Sequence, residues 1–229
     1  MAETEHLEEL CRIGKATKEQ AVECNARIHE QEAKLTPDEV LDRLVEGNAN
    51  YVRNQPGKPP LSAPQKEALT VTQKPLVAVL SCADSRVPVE QTFSMGPGDI
   101  FVTRNAGNVY CPVTAASLDY AVKHIGVKLL VVIGHQCCGA IKAAQLPADA
   151  IAGETPALAM LLTSIKKGIG PLPKFDGAAK HDRNAVCTNV LAQIKEMEAN
   201  PVYSAKTKSG ELKIVGAFYE IDSGKVEFI

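Results

Sequence analysis

No stretch of the 229 residues approaches the ~20 consecutive apolar positions that a membrane-spanning helix needs. No excess of one charge is present either. Lys and Arg number 25 against 27 Asp and Glu, a formal net charge of −2. That balance argues against nucleic acid or an anionic membrane as the main partner. The first ten residues, MAETEHLEEL, are acidic and lack an apolar core, unlike a secretory leader or an Arg-rich transit peptide. The expected location is cytoplasmic, or an organelle stroma or matrix if a transit peptide has been removed. No C-x-x-C pair occurs among the seven cysteines, and their count is odd. Both facts disfavour a disulfide framework and a closed structural zinc site. Internal repeats and low-complexity tracts are missing as well.

What is there is periodicity. Residues 1–35 are polar, with a thin apolar stripe of Leu7, Leu10, Ile13, Val22 and Ile28. They read as a helical arm without a core of its own, laid on a partner or on the main body. Residues 36–229 read as one domain. Thr36-Pro37-Asp38-Glu39 gives an N-cap, a Pro at the first helical position and a Glu three residues after the cap. Residues 54–74 begin Pro-rich and read as a loop, with room for one short helix. Apolar runs at 76–81, 100–104 and 128–135 predict strands, separated by a helix over 113–124. Further helices are expected from 138 and from Thr155-Pro156. A long helix capped by Asp182 carries the stripe Val186, Val190, Ile194 and Met197, and Asn200-Pro201 ends it. Runs at 213–221 and 225–229 predict a terminal hairpin. The pattern implies an α/β fold: a mainly parallel central sheet with an antiparallel C-terminal edge strand, flanked by helices.

In such sheets ligands bind outside the carboxyl ends of the strands. Two of those ends carry metal-competent groups. The first strand runs into SCADSRVP, placing Cys82, Asp84 and Arg86 on alternate positions; the third runs into GHQCCG, with His135, Cys137 and Cys138. Two thiolates and an imidazole suit zinc, and three protein ligands leave a fourth position for water or substrate. Cys138 fits better than Cys137, because a residue at i+3 can meet His135 across a turn and one at i+2 points away. Cys137 is expected to pack under the loop. Asp84 can either orient a metal-bound water or ligate the metal itself, and Arg86 can hold Asp84 as a bidentate pair. Each residue taken singly reads more simply, as a packed thiol, a loop histidine and a surface ion pair. Their coincidence at two strand ends does not.

C-A-D-S-R followed by G-H-x-C-C-G resembles the β-class carbonic anhydrases. The likeness extends through PGDIFVTRNAGN (97–108), SLDYAV (117–122), the late helix from Asn184 to Pro201 and the hairpin from Val215 to Ile229, so it covers about residues 36–229. The resemblance implies reversible hydration of CO2 to bicarbonate and a proton, through zinc-bound hydroxide. It implies one Zn2+ per chain on Cys82, His135 and Cys138, with Asp84 and Arg86 as the catalytic dyad. Gln73, Phe101, Tyr120 and Gly139 match the family's CO2 pocket. In plant-type relatives the glutamine and aromatics come from the neighbouring subunit, so a homodimer or homotetramer is implied. The rival readings are a relative acting on COS or CS2, a non-catalytic zinc protein, and a thiol enzyme using Cys82.

Overall fold

The computed structural model describes residues 6–7, 9–11, 14–55, 57–58, 60–171 and 178–229. Ile13 of the predicted stripe lies outside them. Helices α1 (Lys18–Glu32), α2 (Pro37–Val52) and α3 (Ala63–Ala68) precede the first strand. All three start with a capping box: Thr17 with Gln20, Thr36 with Glu39, and Ser62 with Gln65. The arm packs against the body through a small cluster it shares with α3. Leu7, Cys11, Ala16, Ala21 and Cys24 bury against Ala68 of α3 in a small cluster, while Ile28 is exposed. Small side chains let α1 and α3 approach closely enough to share this satellite core. Lys128 ties the end of the arm to the body by donating to the carbonyls of Ala33 and Leu35.

The body alternates strands and helices: β1 (Val77–Cys82), α4 (Val89–Thr92), β2 (Ile100–Asn105), α5 (Pro112–Tyr120), β3 (Leu129–His135), α6 (Gly139–Ala144), α7 (Ala148–Ala152), α8 (Pro156–Ile169), α9 (Ala178–Glu198), α10 (Pro201–Lys208), β4 (Lys213–Tyr219) and β5 (Val226–Phe228). The sheet order is β2-β1-β3-β4-β5. All pairings are parallel except β4 with β5, which closes the edge antiparallel. The helix predicted over 113–124 ends as an α-helix at Tyr120 and finishes in a wider turn over Ala121–Ile125, stopped by left-handed Gly126.

β1 and β3 are buried along their whole length. Their side chains alternate between two cores. Val77, Val79, Leu129, Val131 and Ile133 face Val40, Leu44 and Phe93; Ala78, Leu80, Leu130 and Val132 face Leu118, Val190, Met197 and Tyr203. A sheet covered on both faces explains why these runs read as continuously apolar. α9 begins at Ala178, so Asp182 is not its cap; its predicted stripe does turn inward, with Val186, Val190 and Met197 buried. Close approach of α9 to β3 needs Gly134, because a Cβ there would lie 2.4 Å from Val186 Cγ1. Asn200-Pro201 ends α9 and also starts α10, where Asn200 accepts the Val202 N–H at 3.0 Å.

Candidate metal centre

Parallel register brings the ends of β1 and β3 side by side, with Ser81 opposite Ile133. Cys82 and His135 therefore emerge on one edge. Cys138 joins them just before α6. The donor atoms of Cys82, His135 and Cys138 all lie within 4.8 Å of one another, and all three residues are buried. The two sulfurs are 4.0 Å apart. His135 Nδ1 faces the Gln136 carbonyl at 2.9 Å, while its buried Nε2 has no hydrogen-bond partner among the described residues. With Nδ1 donating to that carbonyl, Nε2 carries the free lone pair, as a metal-binding imidazole requires. A buried polar atom left unpaired costs free energy unless something fills the place. A small, thiophilic cation with tetrahedral preference fits this donor set, and zinc is that ion.

Electrostatics within the cluster point the same way. The neighbouring Cys138 thiol and the Gly107 N–H (3.3 Å) favour a Cys82 thiolate, so the Cys82 thiol is held well below its ordinary range despite burial. Cys138, donating to that thiolate and buried beside it, is pushed up. A divalent cation bound here would hold both sulfurs as thiolates, displacing any proton on them.

Asp84 stands at the rim. Arg86 grips it as a fork, with Nε on Oδ1 at 2.9 Å and Nη2 on Oδ2 at 2.8 Å, and the Arg86 backbone N–H adds a third bond at 3.0 Å. Arg86 holds the Asp84 carboxyl well below the usual carboxylate range. Asp84 Oδ2 is 3.9 Å from His135 Nε2. The carboxylate is thus paired with Arg86 beside the three donors. Gly139 follows Cys138 directly, and none of the described residues comes within 4 Å of where its Cβ would be.

Two support groups escaped sequence reasoning. Arg104 on β2 donates to the carbonyls of Cys82 (2.9 Å) and Asp84 (2.7 Å), fixing the turn between them. Asn189 on α9 donates to the Gly107 carbonyl at 3.0 Å and is itself held by Gln193. Both lie far in sequence from what they orient, so no local spacing marks them. Cys137 corrects an expectation: it is exposed rather than packed under the loop. Its φ of 55° turns its side chain outward while Cys138 turns in.

The remaining expected residues sit elsewhere. Gln73, Tyr120 and His124 line a shallow groove of about 610 Å³, and the Phe101 ring lies 6.4 Å from that of Tyr120. Phe101 pairs with Ala78, whereas Cys82 pairs with Asn105; four residues of strand at ~3.3 Å each put this set about 13 Å back along the sheet. One chain therefore holds the metal donors and the aromatic set at different ends. A second cavity, about 1360 Å³, opens between the arm and the body near His29, Arg43 and Asp99 and contains none of the donors.

Residues 77–226 match a family model described as carbonic anhydrase. Carbonic anhydrase 2 of Mycobacterium tuberculosis is 33% identical over 190 residues, covering 80% of this chain and 87% of that protein. The carbonic anhydrase of Mycolicibacterium smegmatis is 34% identical over 194 residues, covering 80% and 89%. Among solved structures, a tetrameric β-carbonic anhydrase of Sordaria macrospora superposes with a TM-score of 0.63 at 28% identity, covering 70% of this chain and 83% of that one. A Coccomyxa β-carbonic anhydrase bound to acetazolamide gives 0.61 at 25% identity, covering 83% and 81%. Sheet order, donor set and relatives converge: the chain belongs to the β-class carbonic anhydrases, zinc lyases that interconvert carbon dioxide and bicarbonate.

Proposed function

We propose that Cys82, His135 and Cys138 hold one zinc ion and that Asp84, steadied by Arg86, manages the proton of the attacking water as CO2 becomes bicarbonate. The observation that carries this is the buried Nε2 of His135, without a hydrogen-bond partner among the described residues, set beside two sulfurs 4.0 Å apart. Bound zinc supplies a nucleophilic oxygen near neutral pH and a positive centre for the product's negative charge. The chain's own groups do the rest. The Cys82 and Cys138 sulfurs neutralise the ion's charge, and the Gly107 N–H restrains Cys82. Asp84 stays ionised through the physiological range and so remains an acceptor of hydrogen bonds. Arg86 fixes its direction, and Arg104 fixes the backbone beneath it.

Gln73, Phe101 and Tyr120 serve as the CO2 wall for the metal centre of a neighbouring copy. Their distance from their own chain's donors supports this, and so does the tetramer of the Sordaria relative. The working unit is then a homodimer or a pair of dimers. The arm over 1–35 is then an appendage to a zinc domain over 36–229, and the expected location stays the cytoplasm, or an organelle stroma or matrix if a transit peptide has been removed.

Stopped-flow CO2 hydration across pH, with zinc per chain measured on the same sample, tests this reading. The expected result is about one zinc per chain and activity rising through a single apparent pKa, the behaviour of metal-activated water. One zinc with no hydration at any pH would overturn it and direct the next assay to COS and CS2.

A further inference from the structure

Asp182 was expected to cap α9, yet it lies inside that helix and its carboxylate reaches across to the metal-binding turn. Asp182 Oδ2 accepts the backbone N–H of Cys137 at 2.6 Å. The carbonyl of Cys137 accepts Arg86 Nη2 at 3.3 Å. A residue between His135 and Cys138 is therefore gripped at both backbone groups by charged side chains from two other elements. Cys137 adopts φ 55°, a region that non-glycine residues avoid. Such a conformation persists only where the surroundings hold it. Turning it back would swing the next residue, Cys138, out of line with Cys82 and His135. It would also withdraw the carbonyl from Arg86, the group that aims Asp84.

We infer that Asp182 is a positioning residue for the metal centre: it holds Cys137 in its left-handed conformation, so that the Cys138 sulfur faces the other donors and the Cys137 carbonyl faces Arg86. This rests on the zinc reading above. The charge on Asp182 matters, because a charge-assisted hydrogen bond to an N–H is about twice as strong as a neutral one. The side chain of Cys137 has no part in it.

The test uses the full-length zinc-loaded protein and its Asp182→Ala and Asp182→Asn variants. Zinc release into a chromophoric chelator is timed, kcat and KM for CO2 are measured, and melting of the zinc-free proteins is followed. The expected result is release about 10- to 100-fold faster in Asp182→Ala, the usual range for losing a group that orients a metal ligand. Asp182→Asn, whose amide oxygen still accepts the N–H, falls between. In Asp182→Ala kcat drops more than KM changes, and adding Arg86→Ala costs much less than Arg86→Ala costs alone, because both act on one peptide. Zinc-free melting stays at the wild-type temperature. Wild-type release from Asp182→Ala overturns the inference. Equal acceleration in both variants with a matching fall in zinc-free melting also overturns it, because α9 would then simply be weakened. The release rates decide this question whether or not the wild-type protein hydrates CO2, so failure of the inference and failure of the activity assignment remain distinguishable.

Discussion

Gly107→Ala is the substitution whose cost can be worked most fully from the structure. Gly107 sits at φ 73° and gives its N–H to Cys82 Sγ at 3.3 Å. Alanine in the left-handed region costs about 1–2 kcal/mol. Its Cβ would also lie 2.6 Å from Ile165 Cδ1 and 3.3 Å from Ala140 Cβ. Ile165 is fully buried, so it has little room to retreat. Overpacking of this kind costs roughly 1–3 kcal/mol more. Together the zinc-free protein should lose about 2–5 kcal/mol in urea unfolding. Gly126→Ala separates the two parts. Gly126 has φ 83°, and an added Cβ would meet nothing within 4 Å among the described residues, so it should show the backbone cost alone, about 1–2 kcal/mol. Relief of the crowding would push the 106–108 turn outward and lengthen the bond to Cys82, so Gly107→Ala should also hold zinc more weakly in chelator competition, whereas Gly126→Ala should not. A Gly107→Ala protein as stable as Gly126→Ala, with wild-type zinc affinity, would refute the packing argument.

Three further expectations follow from the same site. Asp84→Asn should keep zinc but hydrate CO2 roughly 10²-fold more slowly, the lower range for losing a positioned acid or base; full activity would remove the dyad's role. Because Arg86 lowers the Asp84 pKa in the folded state, the pair adds stability above the unfolded value of about 3.9, and that gain is lost as pH falls through the depressed folded value. Urea unfolding should therefore show a gap between wild type and Asp84→Asn that is constant from pH 8 to about 5 and shrinks below about 4. Cys138→Ser should lose zinc by elemental analysis while Cys137→Ser retains it, and the reverse would mean that the outward-facing thiol is the ligand.

The sheet was legible in the sequence because β1 and β3 are covered on both faces and so read as unbroken apolar runs. The helix starting at Pro37 was legible because Thr36 and Glu39 form a local box. The three donors were legible because strand ends of a parallel sheet share an edge. What escaped reading depends on contacts between distant segments. Arg104 and Asn189 act on turns twenty or more positions away. Asp182 looked like a cap because a short acidic side chain before an apolar stripe has that local chemistry, but its partner is the backbone of Cys137. The Asn200-Pro201 stop concealed a new start, since the same pair that ends one helix caps the next. The small residues of the arm hid its cluster, because alanine and cysteine make a weak stripe.

The separation of Gln73, Phe101 and Tyr120 from their own chain's metal donors has a genetic consequence under the proposed shared site. A chain with Cys82→Ser lacks zinc but still offers its wall to a neighbour. A chain with Gln73→Ala keeps zinc but offers a damaged wall. Each is defective as a homodimer, yet a mixed dimer contains one centre with every part intact and one with both defects. Two alleles that each fail alone should then heal one another when co-expressed, recovering up to half of the activity per mixed dimer. Two alleles both damaged at the metal donors should never do so.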